Sequence, residues 1–455
     1  MLTYDLIIRN GSVILEHEIQ LVDLAIQDGK ITKIEPAIKG VATREIDATG
    51  HYILPGVIDV HAHFSEPGRE HWEGFTTGSS MMAAGGITTY FDMPLNGIPS
   101  TVTKQALLDK ATIGQQKSFV HFGLWGGLIP GNLPHLKEMA EEGVIGFKAF
   151  ISPTGNKEFE HADDFTLLEG MKEIAKLGKI LALHAESAEI TTWLTNEKRV
   201  QNDTTADAYL ASRPIIAEIE AVQRALHYAH LTNCPLHFVH ISSAEAVAII
   251  KEAKANGQDV TLETCTHYLL FTQDDLRTKG TVAKCAPPLR EQTDQKRLID
   301  CMLAGDIDFV TSDHSPCPPS MKEADNIFDA WGGISGGQFT LLAMLEFAKT
   351  NTLPLTTIAK WTAAQPAKRF DLPTKGRIAV GMDADFAIIA EQPFTVTKEN
   401  FFAQHKHSIY QGRTFSHTVQ YTICNGQIVF AQGTIVDTPP AGQWVQVKHK
   451  LASTK

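Results

Sequence analysis

No C-x-x-C pair occurs among the 455 residues; the six cysteines, at 234, 265, 285, 301, 317 and 424, are scattered. That spacing argues against a disulfide framework and fits a reducing cytoplasm. No apolar run approaches the roughly 18–20 residues that span a bilayer, and no basic run exceeds a few residues. Forty Lys+Arg against 52 Asp+Glu leave a net charge of −12, so nucleic acid and anionic membrane are poor partners. The opening MLTYDLIIRNGSVI lacks a basic region followed by an apolar core and reads as a strand with a turn; neither a signal nor a transit peptide is expected. Internal repeats and low-complexity segments are also missing.

What is present is the composition of a globular protein with a large core, 43% hydrophobic and 20% charged. Both ends are rich in short strand-like pieces with N-G and D-G turn signals, such as LVDLAIQDGKITKIE and HTVQYTICNGQIVFAQGTIV. The middle alternates. Apolar β-type runs occur at VIDVHAH, TTYFDMP, VHFGLW, IGFKAF, LALHAE, LHFVHIS, VTLETCTH and DFVTSD, with helix-like stretches between most of them. Eight strands alternating with helices predict a parallel (β/α)8 barrel over 53–374. Residues 1–52 and 375–455 are expected to form one small β-sandwich domain.

In such barrels chemistry sits at the C-terminal strand ends. There the first run offers His61 and His63, the fourth Lys148, the fifth His184, the sixth His240 and the eighth Asp313. The second, third and seventh runs offer no such ligand type, apart from His267 just after the seventh. Alone, each signal is weak: a single H-x-H is common, and a lone lysine usually snorkels to the surface. Six polar groups on one rim of an apolar barrel are costly unless they bind something. Imidazoles and a carboxylate suit zinc, cobalt, manganese or iron. An ammonium beside two cations would be repelled, so Lys148 must be neutral or chemically changed; a carbamate formed with carbon dioxide would be anionic and bridging. Asp313 reads as both ligand and proton carrier. His237, His121 and His71 read as ordinary structural histidines.

Over essentially its whole length the chain resembles the amidohydrolase superfamily, in its cyclic amidase branch. The matching motifs are DATGHYILPGVIDVHAH, GITTYFDMP, GFKAF, HAES, FVHISS, ETCTHYLLF, KCAPPLR, TSDHSP and KGRIAVGMDADFAII. The resemblance implies a binuclear centre of two divalent metal ions, zinc foremost, held by His61, His63, His184, His240, Asp313 and Lys148 as N6-carboxylysine. It also implies hydrolysis of a cyclic amide and a homo-oligomer, with a homotetramer the family pattern.

Three substrate classes compete. Dihydroorotases carry an arginine two residues after H-x-H to hold a carboxylate; here Ser65 stands there, and serine makes no bidentate charge-assisted pair. Arg69, four residues on beyond P-G, is a candidate substitute for that arginine, but its plainer reading is a loop ion pair with Glu66 or Glu70. Cys317 and Ala286 replace a histidine and an asparagine of dihydroorotases, again pointing to a neutral substrate. Hydantoinases tend to have a tyrosine after the carbamylated lysine, and K-A-F-I-S-P-T-G has none. DMPLNGIPS and EPGREHWEGF are similar to allantoinases, which implies allantoin as substrate and Asn96 and Ser315 as its hydrogen-bond partners. A dihydroorotase or hydantoinase activity is the alternative. A non-catalytic assembly protein is a further one, which has no physical reason to keep all six ligand positions.

Overall fold

The computed structural model describes residues 3–437 and 439–447; the outer ends of the expected β domain, 1–2 and 448–455, lie outside them. The eight apolar runs form eight parallel barrel strands, nearly every residue of which is buried, as continuous apolar runs demand. They are Val57–Ala62, Ile87–Asp92, His121–Leu124 continued by Gly126–Gly127, Phe147–Phe150, Leu181–His184, Leu236–Phe238, Val260–Cys265 and Phe309–Thr311. The third is interrupted at Trp125, whose Nε1 donates to the Val60 carbonyl at 3.0 Å. Closure between the eighth strand and the first lies just beyond the strand ends, where the His63 amide donates to the His314 carbonyl at 2.8 Å. The α-type stretches between strands start where sequence chemistry allows: the side chains of Thr103, Asp163 and Ser243 each accept from the backbone amide three residues on, replacing a missing helical bond.

The two ends of the chain meet in a nine-stranded sheet. Tyr52–Pro55 pairs antiparallel with Phe386–Ala390, joining the N-terminal strands to Thr418–Cys424 and Gln427–Ala431. This sheet encloses its own apolar core, including Ile8, Leu24, Ile53, Phe386 and Ile423. Together these parts make the barrel-plus-terminal-β-domain architecture that the alternation and the strand-rich ends predict. The long connection after the fifth strand folds into three helices, Ala188–Val200, Ala206–Ser212 and Ile215–Thr232. They wall one side of the barrel mouth. Among the described residues no helix is long and apolar enough to cross a membrane.

Candidate metal centre and substrate cavity

The strand-end residues converge. His61 Nε2 and His63 Nε2 each lie 3.2 Å from Asp313 Oδ1, and the ligating atoms of these three buried residues fall within 4.8 Å of one another. The His61 and His240 rings are 5.4 Å apart, and the His184 and His240 rings 4.6 Å. Lys148 Nζ sits 5.0 Å over the Phe150 ring, which in turn stacks on His184 at 4.5 Å. Two of these residues reach the rim through strained backbone. His240 (φ 41°) and Asp313 (φ 44°) adopt the left-handed conformation, at about 1–3 kcal/mol for a non-glycine residue. The turn redirects each side chain where its strand ends.

Burial decides the protonation states. It pushes the imidazoles of His61, His184 and His240 below their ordinary value, with the neighbouring Lys148 charge acting in the same direction. Neutral imidazole is the form that binds metal. Burial also lowers the Lys148 amine to about 7, and its Nζ, like His240 Nδ1, is enclosed with no hydrogen-bond partner. Buried polar atoms left this way are costly unless a ligand satisfies them. The donor set and these orphaned atoms therefore fit divalent metal, making His61, His63 and Asp313 the core of a candidate metal site.

Two carboxylates missed by the strand-end reading orient this set. Glu263, on the seventh strand, accepts from His61 Nδ1 at 2.7 Å and from His237 Nε2 at 3.0 Å, leaving His61 Nε2 free to face Asp313. Glu186 accepts from His184 Nε2 at 2.7 Å and pairs with Arg213. A charged residue inside an apolar strand was the available signal for Glu263; the second position of HAES was the signal for Glu186. His237 is structural, as expected, bonded also to Thr261 Oγ1 at 2.9 Å. His71 is exposed.

A second buried group, His121, Asp385 and Cys424, has ligand types within 4.8 Å of one another at the base of the barrel. There His121 Nδ1 accepts the Gln443 backbone N–H at 3.2 Å, so Nε2 carries the proton in the neutral ring and faces Asp385 at 3.6 Å. Metal-binding histidines instead donate through their outer nitrogen. This cluster reads as an internal link between the barrel and the terminal sheet.

Above the metal residues opens a cavity of about 640 Å³, lined by Asn96, Ser315, Arg69, Trp72, Tyr209 and Trp331 among others. Asn96 (φ 74°) brings its Nδ2 to 3.5 Å from His63 Nδ1. Ser315 holds the Trp331 indole N–H on its carbonyl at 3.2 Å. Ser65 is not part of this lining. The strand alternation ends at Ala62, and Ser65 (φ 61°) is buried with its hydroxyl unpartnered. Arg69 departs from the expected loop ion pair. Glu66 pairs with Lys117 instead, and Arg69 stacks on Trp72 and faces the cavity.

Comparison with known proteins agrees with this geometry. The family model described as "Amidohydrolase family" matches residues 52–429. An allantoinase of Bacillus velezensis is 54% identical, with 95% of each chain covered. An allantoinase of Deinococcus radiodurans is 47% identical over 96% of this chain and 98% of the relative. Among solved structures, an L-hydantoinase (dihydropyrimidinase) from Arthrobacter aurescens superposes with a TM-score of 0.94 at 33% identity, covering 98% of this chain and all of that one (100%). A match over most of its length, on a barrel whose rim gathers the expected ligand types, means that the chain belongs to the amidohydrolase family.

Proposed function

We propose that the protein is an allantoinase, opening the hydantoin ring of allantoin with water to give allantoate and a proton. Full-length similarity to allantoinases carries the reading, and the buried metal-type rim supports it. His61, His63, His184, His240, Asp313 and Lys148, the last as a carbamate, would hold two divalent ions, zinc foremost. A neutral, enclosed amine is the form that adds to carbon dioxide, giving N–COO⁻ and releasing a proton. Bound divalent metals supply Lewis-acid polarisation of the scissile carbonyl and lower the pKa of water.

The remaining work belongs to the chain. Asp313 takes the proton from the attacking water as the C–O bond forms and then returns it to the ring nitrogen as the C–N bond breaks. Asn96 and Ser315, both on the cavity wall, orient the neutral ring through hydrogen bonds. Glu263 and Glu186 fix the tautomers of His61 and His184. A homotetramer belongs to the same reading, supported by exposed Phe165, Trp193 and Ile216 on the outer helices.

The test is a side-by-side assay of the metal-loaded protein on allantoin, dihydroorotate, hydantoin and dihydrouracil. Allantoin is expected to show the highest kcat/KM. A clear preference for dihydroorotate would overturn the reading.

A further inference from the structure

We infer that Arg69 is the specificity residue for the exocyclic ureido group of the substrate, an assignment that rests on the proposed allantoin reaction. Allantoin differs from plain hydantoin only in a ureido substituent at C5, a planar group with a carbonyl acceptor and N–H donors. Recognition of that group requires a polar site beside the ring pocket, offset from the metals.

Arg69 is placed for this. Among the described residues its guanidinium has no carboxylate partner; its one side-chain bond is a long one, 3.3 Å from Nη1 to the Asn96 carbonyl. Most of its five donors therefore remain free, and they sit in a cavity wall shared with the metal residues. Its Cζ lies 5.0 Å from the centroid of the buried Trp72 ring, a cation–π contact that restrains the guanidinium and leaves less entropy to lose. Trp72 meets Trp331 edge to face at 4.8 Å. That contact ties the loop after the first strand to the loop after the eighth, and so holds Arg69 at the mouth of the site.

The second observation is independent. Asn96 Oδ1 is buried without a partner, although Asn96 is only 2% exposed and lines the same cavity. A fixed planar donor beside an unsatisfied amide matches a ureide, whose carbonyl accepts from Arg69 while the adjacent carboxamide completes its hydrogen bonding. A ring without a substituent would still meet Asn96 but would leave Arg69 unused. The ring-only and ureido-bearing substrates are thus separated by what Arg69 does.

The experiment compares wild type, Arg69→Met and Arg69→Lys on allantoin and on hydantoin, the latter also as a competitive inhibitor of allantoin turnover. Methionine keeps the stem on Trp72 without donors, and lysine keeps the charge without the fork. A lost charge-assisted hydrogen bond of about 1.5–3 kcal/mol corresponds to a fall of about 10- to 160-fold. Arg69→Met is expected to lower kcat/KM for allantoin by that factor while the hydantoin inhibition constant changes less than about twofold. Arg69→Lys is expected to fall between. Unchanged allantoin turnover in Arg69→Met, or equal losses for both ligands, overturns the assignment while leaving the allantoinase reading intact. A wild type inactive on allantoin overturns both.

Discussion

Glu263 couples the metal residues to the fold, and its replacement separates two effects that are usually confounded. Its fully buried carboxylate accepts from two imidazoles at once, His61 at 2.7 Å and His237 at 3.0 Å. Glu263→Leu leaves one nitrogen of each ring, whichever tautomer it takes, without a partner in the barrel interior. Each orphaned group costs about 1–3 kcal/mol, so a loss of about 2–6 kcal/mol is expected out of a typical total of about 5–15. Glu263→Gln behaves differently. Its amide oxygen still accepts from His61, and His237 is free to move its proton to Nδ1 and donate to Thr261 Oγ1, already 2.9 Å away. The fold is then kept: burial pushes the metal-free Glu263 carboxyl up to about 8, so its charge matters once cations sit at His61, and without it the ring becomes a poorer donor to metal. Loss of such an outer partner costs about 10- to 100-fold in metal affinity. Thermal melting of the metal-free proteins reads the first effect, and metal retained against graded chelator reads the second. Glu263→Gln should melt close to wild type yet release metal at correspondingly weaker chelator. Equal metal retention in wild type and Glu263→Gln would refute the orienting role, and an undisturbed melt of Glu263→Leu would refute the burial argument.

Two other expectations test different parts of the molecule. Lys148→Ala should lose most activity and regain part of it with added short carboxylic acids, which replace the carbamate; full activity without an additive would sink the carbamate. At the barrel base, burial works against the Asp385 charge, but Lys375 at 2.6 Å holds the carboxyl well below the usual range. A carboxyl depressed in the folded state stabilises above its unfolded value of about 3.9 and loses that contribution as pH falls. Asp385→Asn should therefore be less stable at neutral pH and lose stability less steeply below about pH 5 in denaturant titrations. Acid limbs of equal slope in the two proteins would rule out the ion pair as the cause.

The barrel and its metal residues were legible because their signals are local. A buried parallel strand needs a continuous apolar run, and each ligand type stands out at the end of one. The seventh strand shows the limit of that method. Glu263 lies inside the run, and only its two imidazole partners reveal what it does. Arg69 shows another limit. The acidic neighbours Glu66 and Glu70 suggested an ion pair, but Lys117 takes Glu66, and the Trp72 ring turns the guanidinium toward the cavity. Ser65 stands where the resemblance expects a carboxylate-binding arginine, but the strand ends at Ala62 and Ser65 turns into the interior, outside the cavity lining.

The sequence by itself determined which chemical groups the rim carries and how many strands present them, since both follow from the residue order within single elements. Tertiary structure alone decided which groups meet. His63 and Asp313 are 250 residues apart, and only barrel closure brings their side chains to 3.2 Å. The same closure sets Arg69 beside Asn96 and Glu263 behind His61. Pairings across that much chain depend on distances no local pattern encodes.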